Sequence, residues 1–187
     1  MSAQPNFQPP ADWRNNGRFC KIYPYVLAVE GGLVTAERAK KIGDKGGATN
    51  HGIAFNYNQG YLKKYNILFP GQMDQLTKQQ AIEIYYRKYW LPSQADELPD
   101  TRLAAVYFDH VVNAGQGSAD QLLTKLDKAL WFYKGDGENI SYFWQQCMLF
   151  MLHRLWFYAN IKQWKTFGLG WFNRLIILTK GLHNIGG

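Results

Sequence analysis

The stretch AVEGGLVTAERAKKIGDKGGATNHGIAF, residues Ala28 to Phe55, sets Glu30, Asp44 and Thr49 among two pairs of adjacent glycines. Upstream of it Tyr23, Val26, Leu27 and Glu30 fall at helical spacing, and Pro24 suits the opening position of that helix. Gly31 and Gly32 stop it. From Asp44 to Tyr57, turn residues lead into a short alternating apolar pattern that suits a small hairpin. Helical spacing places Glu30 on the apolar stripe, where an ionised carboxylate is poorly solvated and its pKa rises. A carboxyl group kept protonated near neutral pH can give a proton to a leaving oxygen. The competing reading is a helix-terminal Glu that faces water.

A carboxylic acid that protonates a glycosidic oxygen is commonly matched by a second carboxylate across the sugar, and Asp44 is the candidate. Asp44 also begins a Gly-rich turn, where an Asp commonly bonds its own backbone. Thr49 suits either the orienting of a water or the start of the first hairpin strand.

Farther along, LTKQQAIEIYYRKYW carries a capping box, Thr77 with Gln80, before a helix with an apolar face through Ile84 and Tyr85. DTRLAAVYFDHVVNAG is a second amphipathic helix that ends at Gly115, and a third runs from near Ser118 to Leu130. YKGDGENI is a loop, about Ile140 to Ile161 is a long apolar helix, and Gly168 and Gly170 separate it from a last helix starting near Trp171. The expected fold is therefore α+β, mostly α, with one small β-hairpin. Residues 1–18 are Pro/Asn-rich and read as an extended arm. Residues 19–130 read as the catalytic region, and 131–187 as a helical C-terminal region packed on it.

A chain of 187 residues that is 47% hydrophobic supplies the core of one domain of ordinary size. Aromatic residues, at 16%, exceed what such a core needs and leave some to stack on flat ligands or sugars. The formal charge of +7 favours a polyanionic partner. No run of five Lys/Arg and no Cys/His finger spacing occurs, which speaks against nucleic acid. Cys20 and Cys147 make no disulfide framework and read as buried thiols. The N-terminus has no apolar leader pattern, and CMLFMLHRLWFYANI is too short and too interrupted to span a bilayer, so stable membrane insertion is not expected.

The residues EGG at 30–32, followed by D.GGATN.GI at 44–53, resemble the signature of glycoside hydrolase family 108, peptidoglycan muramidases of the lysozyme superfamily. IYYRKYW and FDHVVNAG are similar to the later helices of that family, so the resemblance covers roughly residues 20 to 130. RLWFY and GWFNR resemble its C-terminal predicted peptidoglycan-binding region. The resemblance implies a lysozyme-like domain that needs no cofactor and no metal. It implies that Glu30 is the catalytic acid, with Asp44 and Thr49 matching the family's Asp and Thr. Asn50, His51 and Tyr57 follow as substrate-binding candidates, as do Asp109 and Asn113, which match D...N.G and lie four apart on one helix face. A buried polar pair bracing the helix is the other reading of those two. Trp171 is a candidate for holding the wall polymer, against the reading that it plugs a helix start into the core.

The implied activity is an N-acetylmuramidase that cleaves the β-1,4 bond between N-acetylmuramic acid and N-acetylglucosamine in bacterial peptidoglycan. A lytic transglycosylase and a non-catalytic wall-binding protein are the alternatives. A basic muramidase without an export pattern suits a phage or prophage endolysin made in the cytoplasm and acting on the wall after release. The segment LVTAERAKKIG is longer and more basic than the family's usual connection, and Lys45 stands where Pro is frequent.

Overall fold

The computed structural model describes residues 12–130, 140–162 and 164–185. Most of the arm expected at the N-terminus thus lies outside the described residues, as does most of the YKGDGENI loop. Asp12 caps a 3-10 turn at Trp13–Asn15, and Asn16 then caps α1 (Gly17–Val29), its side chain accepting from the Phe19 amide at 2.8 Å. Pro24 lies inside α1 and does not open it. The missing amide hydrogen costs one backbone bond within a helix whose Phe19, Ile22 and Val26 are anchored in the core.

The long connection after the glycines is itself helical. Thr35 caps α2 (Ala36–Lys41) by accepting from the Arg38 amide, and Glu37 in its first turn with Lys40 and Lys41 in its last suits the helix dipole. The hairpin is shorter than its sequence pattern. β1 (Thr49–Asn50) pairs antiparallel with β2 (Ile53–Ala54), with Thr49 opposite Ala54 and Asn50 opposite Ile53. The two residues between them, His51 at φ 48° and Gly52 at φ 75°, both have positive φ, as the tightest hairpin turns require. The apolar residues that continued the pattern enter α3 (Phe55–Leu62) instead. Asn50 fastens the hairpin to the 3-10 turn at Pro70–Gln75: its amide donates to the Met73 carbonyl at 2.8 Å, and its carbonyl accepts from the His51 amide at 3.0 Å.

The Thr77–Gln80 capping box opens α4 (Lys78–Ile84) as expected from the sequence, and the chain continues through a π-helical stretch, Tyr85–Trp90, into the single turn α5 (Leu91–Ser93). α6 (Thr101–Ala114) is capped by Asp100 and closed by Gly115, and is buried over most of its length. α7 (Gln116–Leu130), α8 (Ile140–Ala159) and α9 (Trp164–Ile185) complete the order. Phe19 joins these layers, its ring lying 5.0 Å from Tyr86, 5.4 Å from Trp90 and 5.9 Å from Phe108. The result is a mostly helical, lysozyme-like α+β fold with one two-stranded sheet.

α9 starts at Trp164 and runs unbroken through Gly168 and Gly170, which the sequence reading took for a break. Gly168 is needed because the Trp164 ring folds onto the helix, only 2.6 Å from where a Cβ would stand. Gly181 likewise admits the Tyr25 ring, so α9 can lie against α1. Of the two cysteines, Cys147 is buried with its thiol pushed up to about 12 by burial, while Cys20 is only half-buried. Replacing Asn50 by Ala removes the tie between hairpin and 3-10 turn and leaves the Met73 carbonyl with the Leu76 amide at 3.3 Å alone. Chemical denaturation is expected to show a loss of about 0.5–1.5 kcal/mol.

Candidate active site

Glu30 is the C-cap of α1, its backbone already extended (φ −80°, ψ 133°) as the chain turns into the glycine pair. Glu30 lines a cleft of about 450 Å³, a size suited to a small-molecule or single-sugar subsite. One wall comes from α1 with Tyr23, Pro24 and Leu27, and the other from His51 and Lys78. The hairpin tip closes in behind the carboxylate. A Cβ on Gly52 would lie 2.6 Å from Glu30 Oε2 and 2.2 Å from the Tyr85 hydroxyl, so the backbone alone fits there. Tyr85, itself buried, donates its hydroxyl to the His51 carbonyl at 3.2 Å and so holds the turn in place.

The electrostatics of Glu30 come from the far end of the chain. Arg174 of α9 donates through Nη1 to Glu30 Oε1 at 2.6 Å. The rest of its guanidinium grips Asp109 of α6, with Nη2 to Oδ1 at 2.7 Å and Nε to Oδ2 at 2.9 Å. Arg154 of α8 reaches the same carboxylate at 2.7 Å and also donates to the Tyr158 hydroxyl, which in turn donates to Asn113 Oδ1 at 2.7 Å. Burial raises the pKa of Glu30 above the usual carboxylate range. The Arg174 cation draws it back and the Asp109 charge adds to the rise, leaving a net upward shift. For Asp109 burial also pushes upward, but the two guanidiniums outweigh it and hold the group below its ordinary value. His110, behind the cluster, is pushed down to about 3 by burial and by Arg154, and is neutral.

The structure brings Glu30 and His51 together at the cleft and disperses the other predicted residues. Asp44 is exposed and spends Oδ1 on the Gly46 amide at 2.8 Å, the local turn bond that Asp before glycine favours. Thr49 donates its hydroxyl to the Gly47 carbonyl. Asn50 is consumed by the hairpin tie, and Tyr57 lies exposed on α3. Asp109 is fully buried and both its oxygens are taken by arginines, as in the bracing reading of that helix. Asn113 is engaged by Tyr158. Trp171 is half-buried and stacks on Tyr158 at 4.9 Å between ring centroids, at the contact of α8 and α9.

Arg154, Arg174, Tyr85 and Lys78 were missed as site residues. The arginines did carry a signal: each sits in a helix without a single Asp or Glu, and a buried guanidinium needs a carboxylate from elsewhere. Among the described residues no group of His, Cys, Asp and Glu is placed to hold a metal ion.

Residues 23–115 match the family model of glycosyl hydrolase 108. The match supports a glycoside hydrolase, and its span includes Glu30, the hairpin and Asp109 while leaving both arginines outside. The solved structure of Brucella abortus SagA is similar in fold, with a TM-score of 0.66 and 24% identity over 90% of this chain and 95% of that one. No curated protein gives a match.

Arg174→Met removes the cation that draws Glu30 down, so a carbon-13 titration of the Glu30 carboxyl is expected to move to higher pH. Arg174→Lys, which keeps the charge but loses the fork, is expected to fall between the two. Asp109→Asn strips two buried guanidiniums of their partner, and a loss of about 3–5 kcal/mol is expected in thermal or chemical unfolding.

Proposed function

We propose that the protein is an N-acetylmuramidase that hydrolyses the β-1,4 bond between N-acetylmuramic acid and N-acetylglucosamine in bacterial peptidoglycan, with Glu30 as the general acid. The observation that carries the reading is the Glu30 carboxyl itself: its residue lines the cleft, its pKa is raised by burial, and it is held by Arg174 through one oxygen. A protonated carboxyl in that position can deliver its proton to the glycosidic oxygen as the bond breaks. Lys78 and the basic character of the chain suit an anionic glycan strand, and the half-buried Tyr23 contributes an aromatic ring to the cleft lining.

Asp44 carries the weaker part of the proposal, that of activating water or stabilising the oxocarbenium-like transition state. Its free oxygen is available for that role, and Gly46 orients the carboxylate. The reading puts the site of action at the cell wall.

Digestion of purified peptidoglycan followed by mass analysis of the fragments tests the reaction. Reducing muramic ends are expected, whereas anhydro ends would make the protein a lytic transglycosylase and the lack of any fragment would make it a binder. Glu30→Gln keeps the shape and cannot give a proton, so turnover is expected to fall by about a hundredfold to ten-thousandfold. Asp44→Asn is expected to lose less, and a dead Asp44 variant beside an active Glu30 variant would exchange the two roles.

A further inference from the structure

The last two helices present a surface that the catalytic reading does not use. On α9 the exposed residues Lys165, Leu169, Phe172, Ile176 and Lys180 follow one another at three- and four-residue steps, so they form a single stripe that begins and ends in lysine. Leu169 is 75% exposed. On α8 the exposed residues Met148, Leu152 and Trp156 form a second stripe, with Trp156 60% exposed. The α9 stripe borders an apolar groove of about 650 Å³ between Leu155 and Ala159 of α8 on one side and Leu169 and Phe172 on the other, with Lys165 in its lining. Apolar surface this continuous marks an interaction site on a soluble protein.

Charge selects the occupant. Residues 140–185 contain no Asp or Glu, although the chain has 14 acidic residues. The two arginines of these helices are turned inward onto Asp109 and Glu30, and the exposed cations that remain are lysines. Lys125 of α7 adds another, its ammonium 5.3 Å from the Trp156 ring. Trp, Phe, Leu and Ile in the middle with Lys at the margins is the composition of a surface that lies in a bilayer interface, apolar groups at the acyl boundary and ammonium groups among anionic headgroups. A second copy of this chain would bring lysine-rimmed apolar stripes face to face, with no carboxylate on either helix to offset them. Spanning is a different matter: among the described residues no helix is long and apolar enough to cross a membrane.

We propose that the α8–α9 face docks the protein on an anionic lipid bilayer surface. The partner is recognised by negative headgroup charge and by room for apolar side chains at the boundary, and attachment is reversible.

The test uses the full chain with vesicles of phosphatidylglycerol and phosphatidylcholine in equal parts, and with phosphatidylcholine alone, in a flotation assay at low and at high salt. Binding is expected to the anionic vesicles, weakened by salt and by the neutral lipid. Each of Lys165→Gln and Lys180→Gln is expected to weaken it roughly fivefold. Leu169→Ser with Phe172→Ser, both at exposed positions, is expected to reduce it further while the unfolding midpoint and the rate on short soluble glycans stay unchanged. Equal binding of wild type and variants, or no binding to anionic vesicles, would overturn the proposal. So would a dimer in solution that the Leu169→Ser and Phe172→Ser changes dissolve, or pull-down by lipid-free peptidoglycan that the same changes abolish in a protein that ignores vesicles.

Discussion

Asp109 is the point on which three helices converge. It sits on α6 with no access to water, and an isolated carboxylate there would be untenable. Arg154 from α8 and Arg174 from α9 make it tenable; Arg174 also donates to Glu30 at the end of α1, while Arg154 donates to Tyr158 one turn along its own helix. Breaking such a cluster costs far more than its net contribution to stability, because every member left behind is a buried charge. The ionic network therefore specifies how α8 and α9 sit on the domain more than it strengthens the domain.

Glu30 inherits its position from that arrangement. Its backbone is set by the end of α1, a turn with room for hydrogen alone at Gly52 closes on Oε2, and Oε1 is held by Arg174. Desolvation and the Asp109 charge push the carboxyl toward its neutral form while Arg174 opposes them, and the balance favours the rise. The single cation is thus both a clamp and a brake on protonation, and a substrate that competed for its donor would alter both.

Much of this was legible in the chain. Glu30 on an apolar stripe, the glycine pair that ends the helix, the Thr77–Gln80 box and the Gly115 stop are local signals, and local signals are what a single sequence carries. The hairpin was overextended because the apolar alternation past Ala54 fits the first turn of a helix as well as a strand, and the decision is made by packing of Phe55, Asn58 and Leu62. The helix break assumed at Gly168 and Gly170 failed because a helical glycine can exist for a ring to lie on, and Trp164 is that ring. Asp109 stood out as one of two polar residues four apart on a helix face, open to a cleft role or a bracing role, yet its partners lie 45 and 65 residues away. No periodicity reports an ion pair at such distances; only the presence of arginine inside helices without Asp or Glu hinted at it.

The order of the cluster along the chain bears on how the protein is made. Glu30 is synthesised 144 residues before the arginine that orients it, and Asp109 is made before either of its guanidinium partners. On the ribosome, the region that holds the hairpin and the cleft walls emerges with a carboxylate that cannot yet be buried, so α6 cannot settle into its final packing. The assembled constellation around Glu30 exists only after α9 has emerged and docked, which defers any activity at that carboxyl until the arginine of that helix is in place.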